Sequence, residues 1–318
     1  MKKTKFLSLL VLAPLMTGCG NNVKAPKFAD YGKKISYEKF IEALTKYQTE
    51  SSLYKTAKID SFEYTLKTVS LETYVITRGD TKVEDDSTYS ETKGKGGYSK
   101  ENLVIDGEFT SKTTLLEKSN EGKYSGEETT TSSSSVQSAK VGKGSYIVLV
   151  NNKEKTYAPQ SVIDKDHKEA DLMDANAKST AISLGAPVES VIMIYEMYKY
   201  FGVDVSKSAF YQNGKVYTID FKAKYEEDQK VAEEVIYTNT EEMNWTVQID
   251  TTEGNWAVKY FMESTETREV KKTYSQFVEG DKYVSKTVGS YEVIMKTKEH
   301  KAKAVKLDKY AALGFDAI

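Results

Sequence analysis

Phe210-Tyr211-Gln212-Asn213-Gly214-Lys215-Val216-Tyr217-Thr218-Ile219-Asp220-Phe221 is the stretch from which the fold class follows. Asn-Gly supplies the two positive-φ positions that a tight two-residue hairpin turn needs, and it stands here between two strand-like runs. Val216, Tyr217, Ile219 and Phe221 carry the apolar and aromatic side of the second run. The same grammar extends outward in both directions. Upstream, Phe62, Tyr64 and Leu66 alternate with Glu63, Thr65 and Lys67, the period-two signature of a half-buried strand. Turn signals then recur at hairpin-like intervals: Arg78-Gly79-Asp80, residues 94–97, Asp106-Gly107 and Asn120-Glu121-Gly122. Downstream, runs at 235–237, 245–249, 256–261, 274–278, 283–288, 291–295 and 302–307 are punctuated by Glu253-Gly254-Asn255 and Gly280-Asp281. With 23 tyrosines against 11 phenylalanines and 2 tryptophans, the composition favours pleated, half-exposed surfaces.

Three segments break the alternation. Ser36 is a candidate N-cap, followed by Tyr37, Phe40, Ile41, Leu44 and Tyr47 at helical spacing to about Glu50. Residues 168–184 read as a second helix. The strongest helix runs over 187–201, opened by Pro187 and closed by Gly202, with Val188, Val191, Ile192, Tyr195, Tyr198 and Phe201 on one face. Ile194 and Met197 make its opposite face apolar too, so it is expected to be covered on most sides. Residues 127–138 are predicted as a long loop or exposed strand, and the tail 311–318 as packing back onto the body. The predicted class is α+β: antiparallel meanders forming a curved sheet or open half-barrel, with an N-terminal helix and a central apolar helix.

The N-terminus follows a different logic. Met1-Lys2-Lys3-Thr4-Lys5 leads into an eleven-residue apolar run, 6–16, and then Thr17-Gly18-Cys19, the one cysteine of the chain. Eleven helical residues span only ~16 Å, about half a hydrocarbon core, so the run suits a signal segment better than a spanning helix. Thr17, Gly18 and Cys19 resemble the lipobox of bacterial lipoproteins, with Met16 where that family usually has leucine. The resemblance implies cleavage before Cys19 and a diacylglyceryl group on its sulfur, and two acyl chains anchor stably where one does not. The expected organisation is a signal peptide at 1–18, a polar tether from lipidated Cys19 over 19–35, and an extracytoplasmic domain at 36–318. Whether that domain forms one body or two halves divided near 160–205 stays open. The implied location is the outer face of a cell membrane, and the lysine-for-arginine bias points to a low-GC Gram-positive bacterium.

Chemistry is sparse. Basic and acidic residues nearly balance at 45 and 47, and removing Lys2, Lys3 and Lys5 takes the net charge of −2 to about −5. No nucleic-acid footprint appears. The only arginines are Arg78 and Arg268, which argues against a site built on planar anion recognition. No further thiol provides a disulfide framework. His167 and His300 lie in lysine- and acid-rich settings that read as exposed surface, and no catalytic or phosphate-binding motif occurs. Gly94-Lys95-Gly96-Gly97 reads as a turn. The acidic run 164–171 fails calcium-loop spacing, with Lys168, Glu169 and Ala175 at the fifth, sixth and twelfth positions. The pairs Glu226-Glu227, Glu233-Glu234 and Glu241-Glu242 read as solvated edges. Arg78-Gly79-Asp80 spells a tripeptide read by some adhesion receptors and is the candidate adhesion site. No metal and no cofactor is expected.

Over residues 36–307 the order helix, meander, apolar helix, meander resembles, in layout alone, the lipoprotein carriers of the LolA and LppX type, where helices plug a curved sheet around a lipid. The resemblance implies a non-enzymatic binding protein for a lipid or other apolar ligand. Val188, Val191, Ile192, Tyr195 and Tyr198 are the candidate ligand-binding residues. The alternatives are a structural or adhesion lipoprotein contacting other macromolecules and, behind it, an enzyme using carboxylates.

Overall fold

The protein is described from a computed structural model over residues 23–55, 59–118, 124–141, 144–150, 155–159, 169–184, 186–302 and 316–317. Cys19, the signal segment, His167 and the acidic run up to Lys168 lie outside these residues. So does most of the tail, and so do the strand expected at 303–307 and the side chains of Val188 and Val191.

The structure is mostly antiparallel β with few helices. Eight long strands dominate: β2 (Phe62–Arg78), β3 (Thr81–Ser99), β4 (Val104–Lys118), β5 (Tyr124–Val141), β9 (Val216–Val231), β10 (Glu234–Thr252), β11 (Asn255–Val270) and β12 (Lys282–Thr297). Short strands flank them: β1 (Lys33–Ile35), β6 (Gly144–Val150), β7 (Lys155–Pro159), β8 (Ala209–Asn213) and β13 (Asp316–Ala317). All thirteen described strands join one sheet in the order β1-β8-β9-β10-β11-β12-β2-β3-β4-β5-β6-β7-β13. The two meanders are therefore continuous, because β12 pairs with β2 along its whole length, from Lys282↔Thr77 to Thr297↔Phe62. The last contact, β13 beside β7, is parallel and joins Asp316 to Thr156.

Strand length is where the sequence reading fell short. At ~3.3 Å per residue a strand of this size spans roughly 50–60 Å, far beyond the short hairpins expected. Glycines read as turn signals are in fact strand interior. Gly94, Gly96 and Gly97 lie within β3 and Gly107 within β4, while Gly289 joins two predicted runs into the single strand β12. Their role is spatial. A Cβ at Gly94 would lie 2.5 Å from the Phe109 ring, one at Gly96 2.1 Å from the Asp106 carbonyl oxygen, and one at Gly107 2.6 Å from the Tyr64 hydroxyl. Tyr64 and Phe109 thus lie across a glycine saddle, which restores the shielding that glycine lacks. The true turns bear positive-φ glycine at Gly79, Gly214 and Gly254.

Four helices sit towards one end of the sheet: α1 (Tyr37–Glu50), α2 (Ser52–Lys55), α3 (Glu169–Leu184) and α4 (Ala186–Tyr200). Ser36 caps α1, its hydroxyl accepting from the Lys39 amide at 3.3 Å. Two apolar cores form beneath the helices. In one, Phe40 and Leu44 of α1 meet Phe210, Ile219, Phe221, Met243, Val247, Ile249 and Val258. In the other, Met173, Ala177 and Ala181 of α3 meet Phe62, Tyr64, Tyr98, Ile105 and Met295. Tyr98 reaches across this second core to donate a 2.7 Å hydrogen bond to buried Asp174.

Beyond the helices the sheet continues as a single layer. From 82 to 92 every side chain of β3 is half-buried, on both faces. Here cross-strand neighbours shield each other in place of a second layer. Thr92 and Ser111 share a hydrogen bond at 2.9 Å, and Thr114 and Thr129 one at 3.0 Å. The segment 127–138, predicted as loop or exposed strand, is part of β5, and 128–134 are exposed.

The far end is knotted by the 271–281 loop, expected to hold a strand but containing only the bridge Tyr274↔Phe277. Both arginines of the chain work here. The Arg268 guanidinium stands 5.2 Å from the Tyr237 ring centre and 5.1 Å from that of Tyr283. Arg78 grips buried Asp281 with both arms of its fork, at 2.8 and 2.9 Å.

Candidate functional site

A pocket of about 320 Å³ opens at the seam between the two cores, under the helices. Ile41, Leu44 and Gln48 of α1, Ala181 and Ile182 of α3, and Ile192 and Met193 of α4 form its helical wall. Ile249, Trp256 and Val258 form its sheet floor. Its lining is predominantly apolar, with Thr45, Tyr47, Gln48, Tyr54 and Asp250 as the polar exceptions. Pockets of this kind hold small molecules by burial and orient them by a few polar groups. At ~30 Å³ per water-sized group, the volume suits roughly ten methylene-sized units.

Each wall exists for a local reason. Phe40 and Leu44, four residues apart, root α1 in the sheet, which leaves Ile41 and Gln48 turned to the seam. The end of α3 is held by the Tyr291 hydroxyl, which donates to the Leu184 carbonyl at 2.9 Å, and its middle by Lys178, which donates to the Tyr54 carbonyl at 2.8 Å. Tyr47, beside the pocket, titrates above its ordinary range because burial disfavours the phenolate.

The candidate ligand residues divide. Ile192 lines the pocket. Tyr195 and Tyr198 pack instead into the core beside it, Tyr195 edge-on to Phe210 at 5.3 Å and Tyr198 stacked on Phe221 at 6.1 Å. The expectation that α4 is covered on most sides is overturned. Met193 is 65 % exposed, Met197 44 %, Tyr200 85 % and Phe201 69 %, so Phe201 is not on the buried face. Ile192, Ile194, Tyr195 and Tyr198 pack on the core formed by α1, β8, β9 and β10, with Tyr37 of α1 4.9 Å from Tyr195. The pocket residues of α1, α3 and the sheet were missed, because their spacing marks them as core and only tertiary packing leaves a gap among them.

Of the adhesion candidates, Gly79 and Asp80 form the β2–β3 turn, with Gly79 at φ +57°, while the Arg78 fork is engaged by Asp281. The arginine holds the Asp281 carboxyl below its ordinary range. His300 is not an exposed surface residue. Its ring packs over Gly97, and Nε2 lies 2.7 Å from Asp106 Oδ1. The pairs Glu226-Glu227 and Glu241-Glu242 lie inside β9 and β10 rather than bordering turns. Glu241 stands directly opposite Glu266, and burial followed by that like charge raises its carboxyl above the usual range. Among the described residues, no group of three His, Cys, Asp or Glu side chains could hold a metal ion, and no helix is long and apolar enough to cross a membrane.

No family model and no curated protein matches the chain. Among solved structures, the outer membrane protease OmpT of Escherichia coli is similar at 5% identity and a TM-score of 0.22, over 78% of this chain and all of that one. OccK7 (OpdD) of Pseudomonas aeruginosa follows at 6% identity and 0.18, over 75% of this chain and 99% of its own. The InvG secretin β-barrel of Salmonella is 9% identical with a TM-score of 0.12, over 87% and 72%. Scores this low carry neither a shared fold nor an activity to this chain.

Proposed function

We propose that the chain is a membrane-anchored extracytoplasmic lipoprotein, held by diacylglyceryl-Cys19, that acts as a non-enzymatic binding protein for a lipid or other apolar ligand. The single observation carrying this reading is the apolar pocket between α1, α3, α4 and the sheet. Its position between helices and one face of an antiparallel sheet also supports the open half-barrel layout, with α4 as the central helix over the ligand. The apolar lining with few polar groups among it favours a hydrocarbon chain with one polar end.

Native mass spectrometry of protein gently extracted from its own host tests this directly. The expected result is a mass adduct of lipid size, extractable into organic solvent and diminished in Ala181→Leu, which adds three carbons at a lining position. A clean apo mass in the parent protein refutes the reading. The second reading, a structural or adhesion lipoprotein, rests on the stretch 82–92 of β3, where acidic, serine and threonine side chains and Tyr89 are half-exposed on both faces.

A further inference from the structure

The pocket between the helices and the sheet has a one-sided charge. Among the described residues that line it there is no lysine, arginine or histidine, and Asp250 is the one with a formal charge. The chain carries 45 basic residues against 47 acidic, so a lining without a cation belongs to this site and not to the composition. Asp250 accepts from the Thr252 amide at 2.9 Å, a bond that leaves its negative charge in place. A second carboxylate, Glu253, stands in the exposed β10–β11 turn. Glu253 and Asp250 both act on the Tyr47 hydroxyl, adding to the upward push that burial and Tyr54 give it.

The cations nearby are placed elsewhere. Lys178 of α3 donates to the Tyr54 carbonyl at 2.8 Å and is not part of the lining. Lys259 and Lys296 share with Asp250 a smaller cavity of about 260 Å³, where Glu292 holds Lys259 at 3.0 Å. Neither lysine lines the larger pocket.

Aromatic rings gather at the same end. Tyr47 and Tyr54 meet edge to face at 5.7 Å. Trp256 lines the pocket with them, paired across the strands with Thr251, the neighbour of Asp250. The faces of such rings attract a cation, most strongly where water is excluded. A ligand carboxylate would instead lose its hydration beside acidic side chains, with no cation in the lining to offset that cost.

We propose that this pocket takes an apolar ligand whose polar end is an ammonium group, seated among Tyr47, Tyr54, Trp256 and Asp250. The proposal rests on the apolar-ligand reading above and narrows it, since a free fatty acid is excluded. At ~30 Å³ per group, the pocket holds the ammonium and a chain of about eight carbons. The aliphatic part then lies against Ile41, Ile192 and Val258. The same ammonium chemistry is offered by a cationic amphiphile and by a zwitterionic lipid headgroup.

The test is isothermal titration calorimetry of the full-length protein with four probes that share one chain length, each below its micellar concentration. They are octyltrimethylammonium, octylphosphocholine, octanol and octanoate. The expected result is binding of octyltrimethylammonium at least tenfold tighter than octanol, and no saturable binding of octanoate. Asp250→Asn, with the fold checked by circular dichroism, lowers the preference for the ammonium over octanol at least fivefold. Glu253→Gln lowers it in the same direction and keeps the test open should Asp250→Asn not fold. Octylphosphocholine binding as tightly as octyltrimethylammonium supports a lipid headgroup as the source, and its failure to bind supports a free cationic amphiphile. Octanol binding as well as the ammonium, octanoate binding more tightly than either, or a preference untouched by both substitutions overturns the proposal and leaves the apolar-ligand reading standing. Failure of all four probes to bind overturns both.

Discussion

The hydrogen bond from Tyr98 to Asp174 pins the first half of α3, and with it one wall of the pocket, to the sheet, as Tyr291 holds its end. Tyr98 is fully buried in β3, Asp174 is 5 % exposed on α3, and the two oxygens are 2.7 Å apart. Burial and the neighbouring carboxylate together push the Tyr98 hydroxyl well above its ordinary range, so it stays a proton donor throughout the accessible pH range. Replacing Tyr98 by Phe removes one oxygen and little volume, but leaves the buried Asp174 carboxyl without that donor. A hydrogen bond to a charged group contributes about 1.5–3 kcal/mol net, and leaving its partner buried and unsatisfied puts the loss at the upper end, ~2–3 kcal/mol. Asp174→Leu alone, which buries the Tyr98 hydroxyl without a partner, costs about 1–3 kcal/mol. The double variant replaces both partners by apolar groups of similar shape, and its loss falls well short of the sum. The coupling is therefore at least about 1.5 kcal/mol. Urea unfolding followed by circular dichroism, at constant m-value, measures all four corners of the cycle. Additive losses, or a Tyr98→Phe change within about 0.5 kcal/mol of the parent, would refute the reasoning.

The glycine saddle makes a second prediction. Gly96→Ala places a methyl group against the Asp106 carbonyl and the Gly107 backbone, which no rotamer change relieves, and costs about 1–3 kcal/mol. Gly79→Ala meets nothing within 4 Å and loses only the ~1 kcal/mol of its positive φ, so the two melting curves should separate in that order. Glu241 gives a pH prediction. Its carboxyl is raised in the folded state, so the fold binds this proton more tightly than the unfolded chain and loses stability as pH rises above the ordinary glutamate value of about 4.3. Glu241→Gln removes that loss. Relative to the parent, the variant gains stability between acid and neutral pH, and a flat difference across that range would show the carboxylate pair to be fully solvated.

Much of the fold was legible because it rests on local rules. The hairpin turns at Gly214-Lys215, one residue beyond the Asn-Gly start expected, Ser36 caps α1, and Phe62 and Tyr64 face the core as period two demands while Leu66 is only half-buried. The errors cluster at glycine. In sequence, Gly94 to Gly97 and Gly107 look like turn chemistry, because glycine's freedom is the strongest local signal for a break. In the sheet the same residues are extended, and what selects them is close approach: the Phe109 ring at Gly94, the Asp106 carbonyl and Tyr64 hydroxyl at Gly96, the Phe62 carbonyl and His300 ring at Gly97, and the Tyr64 hydroxyl at Gly107. Likewise α4 reads from sequence as covered on most sides, because both of its faces are apolar. Only the tertiary structure shows that Ile192, Tyr195 and Tyr198 meet the core while Met193, Met197 and Tyr200 stay exposed.

The sequence by itself determined the mostly antiparallel β class and the scarcity of histidine and cysteine, since periodicity and residue counts act within a few neighbours along the chain. The tertiary structure alone decided that the two meanders are one sheet and where the pocket lies. Those depend on which strands meet: β12 against β2 is a pairing over some two hundred residues, and no local pattern encodes a partner so far away. The pocket is further removed still from the sequence. Ile41, Ala181, Ile192 and Trp256 are ordinary core residues one by one, and the space between them exists only because helices rooted in two separate cores do not quite meet.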